Sequence, residues 1–251
     1  MNTNSNTYTI IYTAAVVVVV AAILAFVSQK LGPMQEANDK AETISQILTA
    51  GGFGDKEHWQ QIGNFETISF YKDNLGEAVM VDRDGVVTDT LSSSRIISLS
   101  ELKEQNYNIR DNAELSIPVY VFKNGIKVLP VYGAGLWGPI WGYIAVGTDG
   151  GTIVGAYFDH ASETPGLGGK IKDDPAFRAQ FTSKSINLDG SKPFSIVKGG
   201  ANGRADAVDA ITGATMTSKG LDAAIAEWLG AYRNTLREGA SGQTMEETSN
   251  E

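Results

Sequence analysis

The chain of 251 residues contains no cysteine, which excludes disulfides, iron–sulfur clusters, thiolate zinc sites and a cysteine nucleophile. Histidine is almost as scarce. His58 and His160 are too few for a histidine metal cage, and no metal site is expected. Basic residues are outnumbered: 20 Lys plus Arg against 29 Asp plus Glu leave a formal charge of −9, with a pI near 4.8. There is thus no global electrostatic case for nucleic acid or anionic lipid as a partner. From Met1 to Gln29 charge is missing altogether. What is plentiful is apolar side chain, 42% of residues, and glycine, 28 residues. The first indicates a folded core. The second indicates tight turns, or backbone that closes on a ligand. The length suits one sizeable domain or two small ones.

The uncharged start holds a membrane segment. Tyr8 to Val27 is predominantly apolar, and a helix of that length covers about 30 Å, the hydrocarbon thickness of a bilayer. Tyr8 and Tyr12 suit the interface. A cleaved signal peptide is the alternative, but no basic n-region, a long apolar run and no A-x-A site favour an uncleaved anchor, with lipid around residues 8–27. Lys30 and Lys40 lie downstream and nothing basic upstream, so counting positive charge places the large domain in the cytoplasm.

The remainder reads as α+β. Met34, Ala37, Ala41, Ile44 and Leu48 recur at helical spacing, and Gly51-Gly52 stops that helix. Residues 66–72 (ETISFYK) and 78–81 (AVMV) read as strands, and Arg83-Asp84-Gly85 turns the chain into 86–91. Ser98 with Glu101 forms a capping-box pattern for a helix near 99–105. Residues 117–123 and 126–132 flank Asn124-Gly125, a hairpin signal, and 140–147 and 152–159 form a second. A short helix near 175–181 is capped by Asp173 or Asp174, with Pro175 in its first position. Residues 194–200 read as a return to the sheet. A last helix over 218–236 carries Leu221, Ala224, Ile225, Trp228, Leu229, Tyr232 and Leu236 on one face.

Three glycine-rich stretches carry the candidate chemistry. Asp209 to Lys219 is a small-residue loop feeding the last helix. It offers free backbone N–H groups and the hydroxyls of Thr212, Thr215, Thr217 and Ser218 to an anion such as phosphate, or it simply caps the helix through Thr217 or Ser218. Asp159 to Gly169 contains His160 and Glu163, a possible acid/base pair. Its alternative is a surface turn. Tyr132 to Gly142 contains Trp137 and Trp141, which suit stacking on an aromatic ring or a core pair at a sheet bend, the latter favoured for Trp141.

Together these stretches resemble a family. Thr212-Gly213-Ala214-Thr215 preceded by Asp209 is similar to the acceptor motif D-x-x-[ST]-G-A-[ST] of proteins that carry covalent FMN. Glu163-Thr164-Pro165-Gly166-Leu167-Gly168 and Leu136-Trp137-Gly138-Pro139 resemble accompanying segments of the C-subunit family of the Na⁺-translocating NADH:quinone oxidoreductases. The likeness runs over essentially the whole chain. The G-subunit of the related electron-transport complex shares the acceptor motif and is the alternative among such flavoproteins. The resemblance implies FMN on Thr215 through a phosphoester, added by a flavin transferase that reads Asp209. It implies contacts from Thr212, Gly213, Ala214, Thr217, Glu163, Thr164, Gly166, Leu167, Gly168, Leu136 and Trp137. It implies one-electron relay to ubiquinone, and Na⁺ export, within a bacterial inner-membrane assembly of six subunits. It places the large domain in the periplasm, against the charge count. The corresponding organisation is anchor 1–30, connecting helix 31–52, extracytoplasmic FMN-binding domain 53–237 and disordered tail 238–251. Outside the family stand a non-redox anchored binding module, and a hydrolase with Thr215 or Ser218 activated by Lys219. Adjacent helix residues do not face each other, which counts against the pairing of Ser218 with Lys219.

Overall fold

The computed structural model describes residues 6–238. All but the first residue of the expected 238–251 tail lies outside them. Helix α1 runs without interruption over Asn6–Ala50, with Pro33 inside it. Proline removes one backbone hydrogen bond from a helix, but the helix continues past it, so the expected anchor and connecting helix are a single element. One stretch of α1 has a mean hydropathy of 2.9 and none of it is buried, making α1 long and apolar enough to cross a membrane.

The chain divides into two compact units between Glu42 and Thr43. The second unit therefore starts earlier than the expected residue 53. The reason is packing: Ile44, Ile47 and Leu48 on the end of α1 are fully buried. Of the expected apolar face, Ala41, Ile44 and Leu48 are buried while Met34 is exposed.

The second unit is built on an antiparallel sheet. Helices α2 (Lys56–Ile62) and α3 (Asn64–Asn74) come first. Residues 66–72 are thus helical, not the expected strand. Gly63 starts the helix by accepting the amide of Thr67, and Thr67 and Tyr71, one turn apart, are the buried pair. Tertiary packing overrides the β propensity of Thr, Ile, Phe and Tyr here. Strands β1 (Leu75–Val81) and β2 (Val87–Leu91) form the next hairpin. Helix α4 (Leu99–Arg110) begins at the expected Ser98–Glu101 capping box. The two expected hairpins are β3 (Ile117–Phe122) with β4 (Lys127–Ala134), and β5 (Pro139–Val146) with β6 (Thr152–His160). Short helices α5 (Lys170–Asp173) and α6 (Pro175–Ala179) follow, and Asp174 caps the second.

With β7 (Lys184–Ser185) the sheet has seven strands in the order β2-β1-β3-β4-β5-β6-β7. Strand β8 (Ser195–Val197) does not rejoin this sheet. It pairs in parallel with β9 (Ala207–Asp209) as a separate ribbon, and the Asp222 carboxylate on the last helix accepts the amide of Ile196. That helix, α7 (Thr215–Ala231), starts before the expected residue 218 and ends earlier, and residues 233–238 are helical again. Leu221, Ala224, Ile225, Trp228, Leu229, Tyr232 and Leu236 are all buried, as the periodicity indicates. Helix α7 lies directly on β4. A side chain at Gly220 would collide with the carbonyl oxygen of Ala134.

Candidate cofactor site

Strand register brings the three glycine-rich stretches together. Gly133 pairs with Ile140, and Ile140 pairs with His160, so the turn after β4 and the loop after β6 leave the sheet side by side. Both meet the start of α7.

Glu163 joins all three. It is 4% exposed. Its Oε1 accepts the backbone N–H of Trp137 at 2.9 Å, and its Oε2 accepts the hydroxyl of Thr217 at 2.6 Å. Its own N–H donates to Nδ1 of His160 at 3.1 Å. Side chains at Gly135 or Gly168 would collide with these carboxylate oxygens, so the glycines serve close approach. Ser162 adds a second tie by donating its hydroxyl to the carbonyl oxygen of Trp137 at 2.9 Å. His160 and Glu163 thus meet through imidazole and main chain. The carboxylate faces elsewhere, and the acid/base pair that the sequence allows is not assembled.

The start of α7 carries no side-chain cap. Ala214 occupies the N-cap position, makes no side-chain cap hydrogen bond and accepts the amide of Ser218 through its carbonyl. Thr217 and Ser218, the capping candidates, are otherwise engaged. Thr217 donates to Glu163, and the Ser218 hydroxyl accepts the amide of Ile211 at 3.1 Å. The first turn therefore keeps N–H groups that no side chain caps, at the positive end of the helix dipole. Thr215, the first helical residue, is half-buried. Ser218 is buried and Lys219 exposed, which gives no support to a serine–lysine hydrolase.

The three stretches that Glu163 joins also carry exposed large apolar side chains. Leu136 is 49% exposed, Trp137 65%, Leu167 44% and Met216 56%. Met216 is not among the residues that the sequence singles out, although it lies inside the motif stretch. Its spacing carries no signal, only its exposure does. Gly213, at φ +83°, packs against the Leu167 side chain, so the 163–168 loop touches the 212–215 loop. Thr164 and Gly166 are exposed and Gly168 is buried. The Thr164 carbonyl accepts the amides of Leu167 and Gly169, which fixes the loop. Thr212 is exposed and Ala214 buried.

Two further sequence candidates are engaged elsewhere. The Asp209 carboxylate accepts the amide of Ala201 at 2.6 Å, and its own amide donates to Oε1 of Gln180 at 2.9 Å, so Asp209 anchors the glycine turn of residues 199–203. Trp141 is half-buried and packs against the core. Its indole N–H donates to Oε1 of Gln46 at 3.2 Å, matching the core reading.

The arrangement combines an uncapped helix start that attracts an anion, a hydroxyl in its first turn and exposed apolar side chains on the stretches joined to it. A family model for the FMN-binding domain matches residues 135–230. The chain is 32% identical over 213 residues to the C-subunit of the Na(+)-translocating NADH-quinone reductase of Vibrio vulnificus, covering 80% of this chain and 81% of that one. It is 29% identical over 252 residues to the same protein of Neisseria meningitidis, covering 91% and 93%. The crystal structure of the corresponding protein from Parabacteroides distasonis superposes with a TM-score of 0.68 at 31% identity, covering 82% of this chain and 96% of that chain. Shewanella oneidensis NqrC gives 0.64 at 25% identity, covering 81% and 99%. By this similarity over most of its length, the chain belongs to the C-subunit family of the Na(+)-translocating NADH-quinone reductases.

Proposed function

We propose that the chain is the electron-relay flavoprotein of such a reductase, with FMN joined to Thr215 by a phosphoester. The observation that carries this reading is the uncapped start of α7, with Thr215 as its first residue, on the element that Glu163 ties to the Trp137 turn, with Leu136, Trp137, Leu167 and Met216 exposed on the joined stretches. A phosphate needs the N–H groups and the positive dipole end. A flat apolar ring needs apolar side chains to lie against. The Glu163 hydrogen bonds join the elements that offer both. FMN supplies one-electron redox chemistry when bound, and attachment through the phosphate leaves its ring unmodified.

Attachment forms a bond between the Thr215 oxygen and phosphorus. A flavin transferase breaks the pyrophosphate of FAD, AMP leaves and the hydroxyl proton is released. The tether keeps the cofactor at high local concentration where a lost molecule is not readily replaced. Leu136, Trp137, Leu167 and Met216 would cover the ring. Thr212, Gly213, Thr164 and Gly166 would hold the remainder of the cofactor. No general base is required, so His160 has no catalytic task. Asp209 is the residue that the transferase reads. Residues 8–27 anchor the chain in the inner membrane, the large unit lies in the periplasm, and the other members of the assembly supply and accept the electrons. The family resemblance supports this orientation over the count of two lysines.

The test is coexpression with a flavin transferase, followed by denaturing electrophoresis. The band is expected to fluoresce as a flavin. A colourless band from transferase-positive cells contradicts the reading.

A further inference from the structure

We propose that Glu163 is a positioning residue of this site: its buried carboxylate clasps the Trp137 turn to the first turn of α7 and does not touch the cofactor. The inference rests on the FMN reading and replaces a ligand contact by an indirect role. Both carboxylate oxygens are occupied by donors, the Trp137 amide at 2.9 Å and the Thr217 hydroxyl at 2.6 Å. A buried carboxylate is costly unless such partners hold it. Gly135 and Gly168 close over it on two sides, and at 4% exposure it presents nothing outward.

The clasp has two effects on the site. It sets the distance between the Trp137 turn and α7, the gap in which a ring must fit. It also turns the Thr217 hydroxyl inward. Residues two apart on a helix face different ways, so the first turn offers Thr215, and not Thr217, to an incoming phosphate.

The side-chain chemistry separates clasping from mere bulk. A glutamine at 163 keeps the clasp: its carbonyl oxygen accepts from Trp137, and its NH₂ donates to a reversed Thr217 hydroxyl. An alanine keeps neither bond.

The experiment uses the full chain in detergent, with Glu163→Gln, Glu163→Ala and Thr217→Val. Hydrogen exchange of residues 135–138 is followed by mass spectrometry, and flavin per chain is measured after coexpression with the transferase. Glu163→Ala is expected to speed exchange of the Trp137 amide by about tenfold or more, the loss of a bond to a charged group. Glu163→Gln is expected to stay within about threefold of the parent and to keep its flavin, while Glu163→Ala loses flavin. Equal protection in Glu163→Ala, or a Glu163→Gln as loose as Glu163→Ala, overturns the proposal. Should Glu163→Ala fail to fold, Thr217→Val decides: it removes one arm and is expected to speed the same exchange, and unchanged exchange overturns the clasp. A parent chain that takes up no flavin refutes the FMN reading, and the exchange measurements still decide the clasp.

Discussion

Gln46 and Asp159, 113 positions apart, are joined by a buried hydrogen bond of 3.0 Å. The amide of Gln46 donates to the carboxylate while its oxygen accepts the indole N–H of Trp141 at 3.2 Å. Lys172 completes the node, with its ammonium 2.8 Å from Asp159. The end of α1 is thereby fixed to the strand that leads into the 161–169 loop. Gln46→Leu leaves a buried carboxylate and an indole each short of a partner, at a cost of about 1–3 kcal/mol. A urea titration of the chain lacking residues 1–30 measures this, and an unchanged midpoint contradicts the importance of the node.

The same packing decides where the domain can be cut. A chain starting at Pro33 is expected to fold as a soluble, cooperatively unfolding protein. One starting at Phe53 lacks Ile44, Ile47 and Leu48, all fully buried. Each is worth about 1.5–3 kcal/mol, a large part of the roughly 5–15 kcal/mol that holds a domain together. Circular dichroism melts distinguish the two products, and a cooperative melt from the shorter one refutes the assignment of the end of α1 to the core.

Helix α7 contains a matched pair of glycines with opposite expected outcomes. At Gly220 a methyl group meets the Ala134 backbone, whereas at Gly230 it meets nothing within 4 Å. Gly230→Ala is expected to stabilise by about 0.5–1 kcal/mol through helix propensity. Gly220→Ala gains the same term but is expected to destabilise on balance, since overpacking against rigid backbone costs about 1–3 kcal/mol. Thermal melts of the two variants should shift in opposite directions. A stabilised Gly220→Ala means that α7 does not lie on β4 as described.

Alkaline pH acts on the core through its buried phenols. Burial pushes the phenols of Tyr71, Tyr120, Tyr143 and Tyr232 up, and neighbouring tyrosines add to this for Tyr71, Tyr143 and Tyr232. Their folded pKa values lie above the unfolded value of about 10. The unfolded chain therefore releases these protons first, so stability is complete below about pH 10 and declines as pH rises beyond it. Tyrosinate absorbance from these four residues should rise together with loss of the circular dichroism signal. Ionisation of all nine tyrosines before any unfolding contradicts their burial.

Local signals are legible in the sequence and long-range ones are not. The Ser98–Glu101 capping box, the Asn124-Gly125 turn and the Asp174-Pro175 start are written in adjacent residues, and each is found in place. The apolar face of α7 follows from its period. Residues 66–72 read as a strand because their β-branched and aromatic content competes with a helix fixed by Gly63 and by burial of Tyr71. Strand β8 reads as part of the main sheet because its true partner β9 is set by the loop between them and by Asp222. In the site, the 212–215 and 163–168 stretches are visible as motifs. Glu163's hydrogen bonds are not, since they reach residues 26 and 54 positions away, and the exposed Met216 has no pattern to betray it.

The central claim concerns one oxygen atom, and intact mass with peptide mapping tests it most directly. Protein coexpressed with a flavin transferase should be heavier than the bare chain by FMN less one water, with the addition on the peptide containing Thr215. Thr215→Ala should abolish the addition while costing the fold about 1 kcal/mol or less, because the start of α7 has no side-chain cap hydrogen bond to lose. Ser218→Ala should keep it, since the Ser218 hydroxyl is occupied by the amide of Ile211. A flavin mapped to any other residue, or an unmodified chain in the presence of active transferase, contradicts the account.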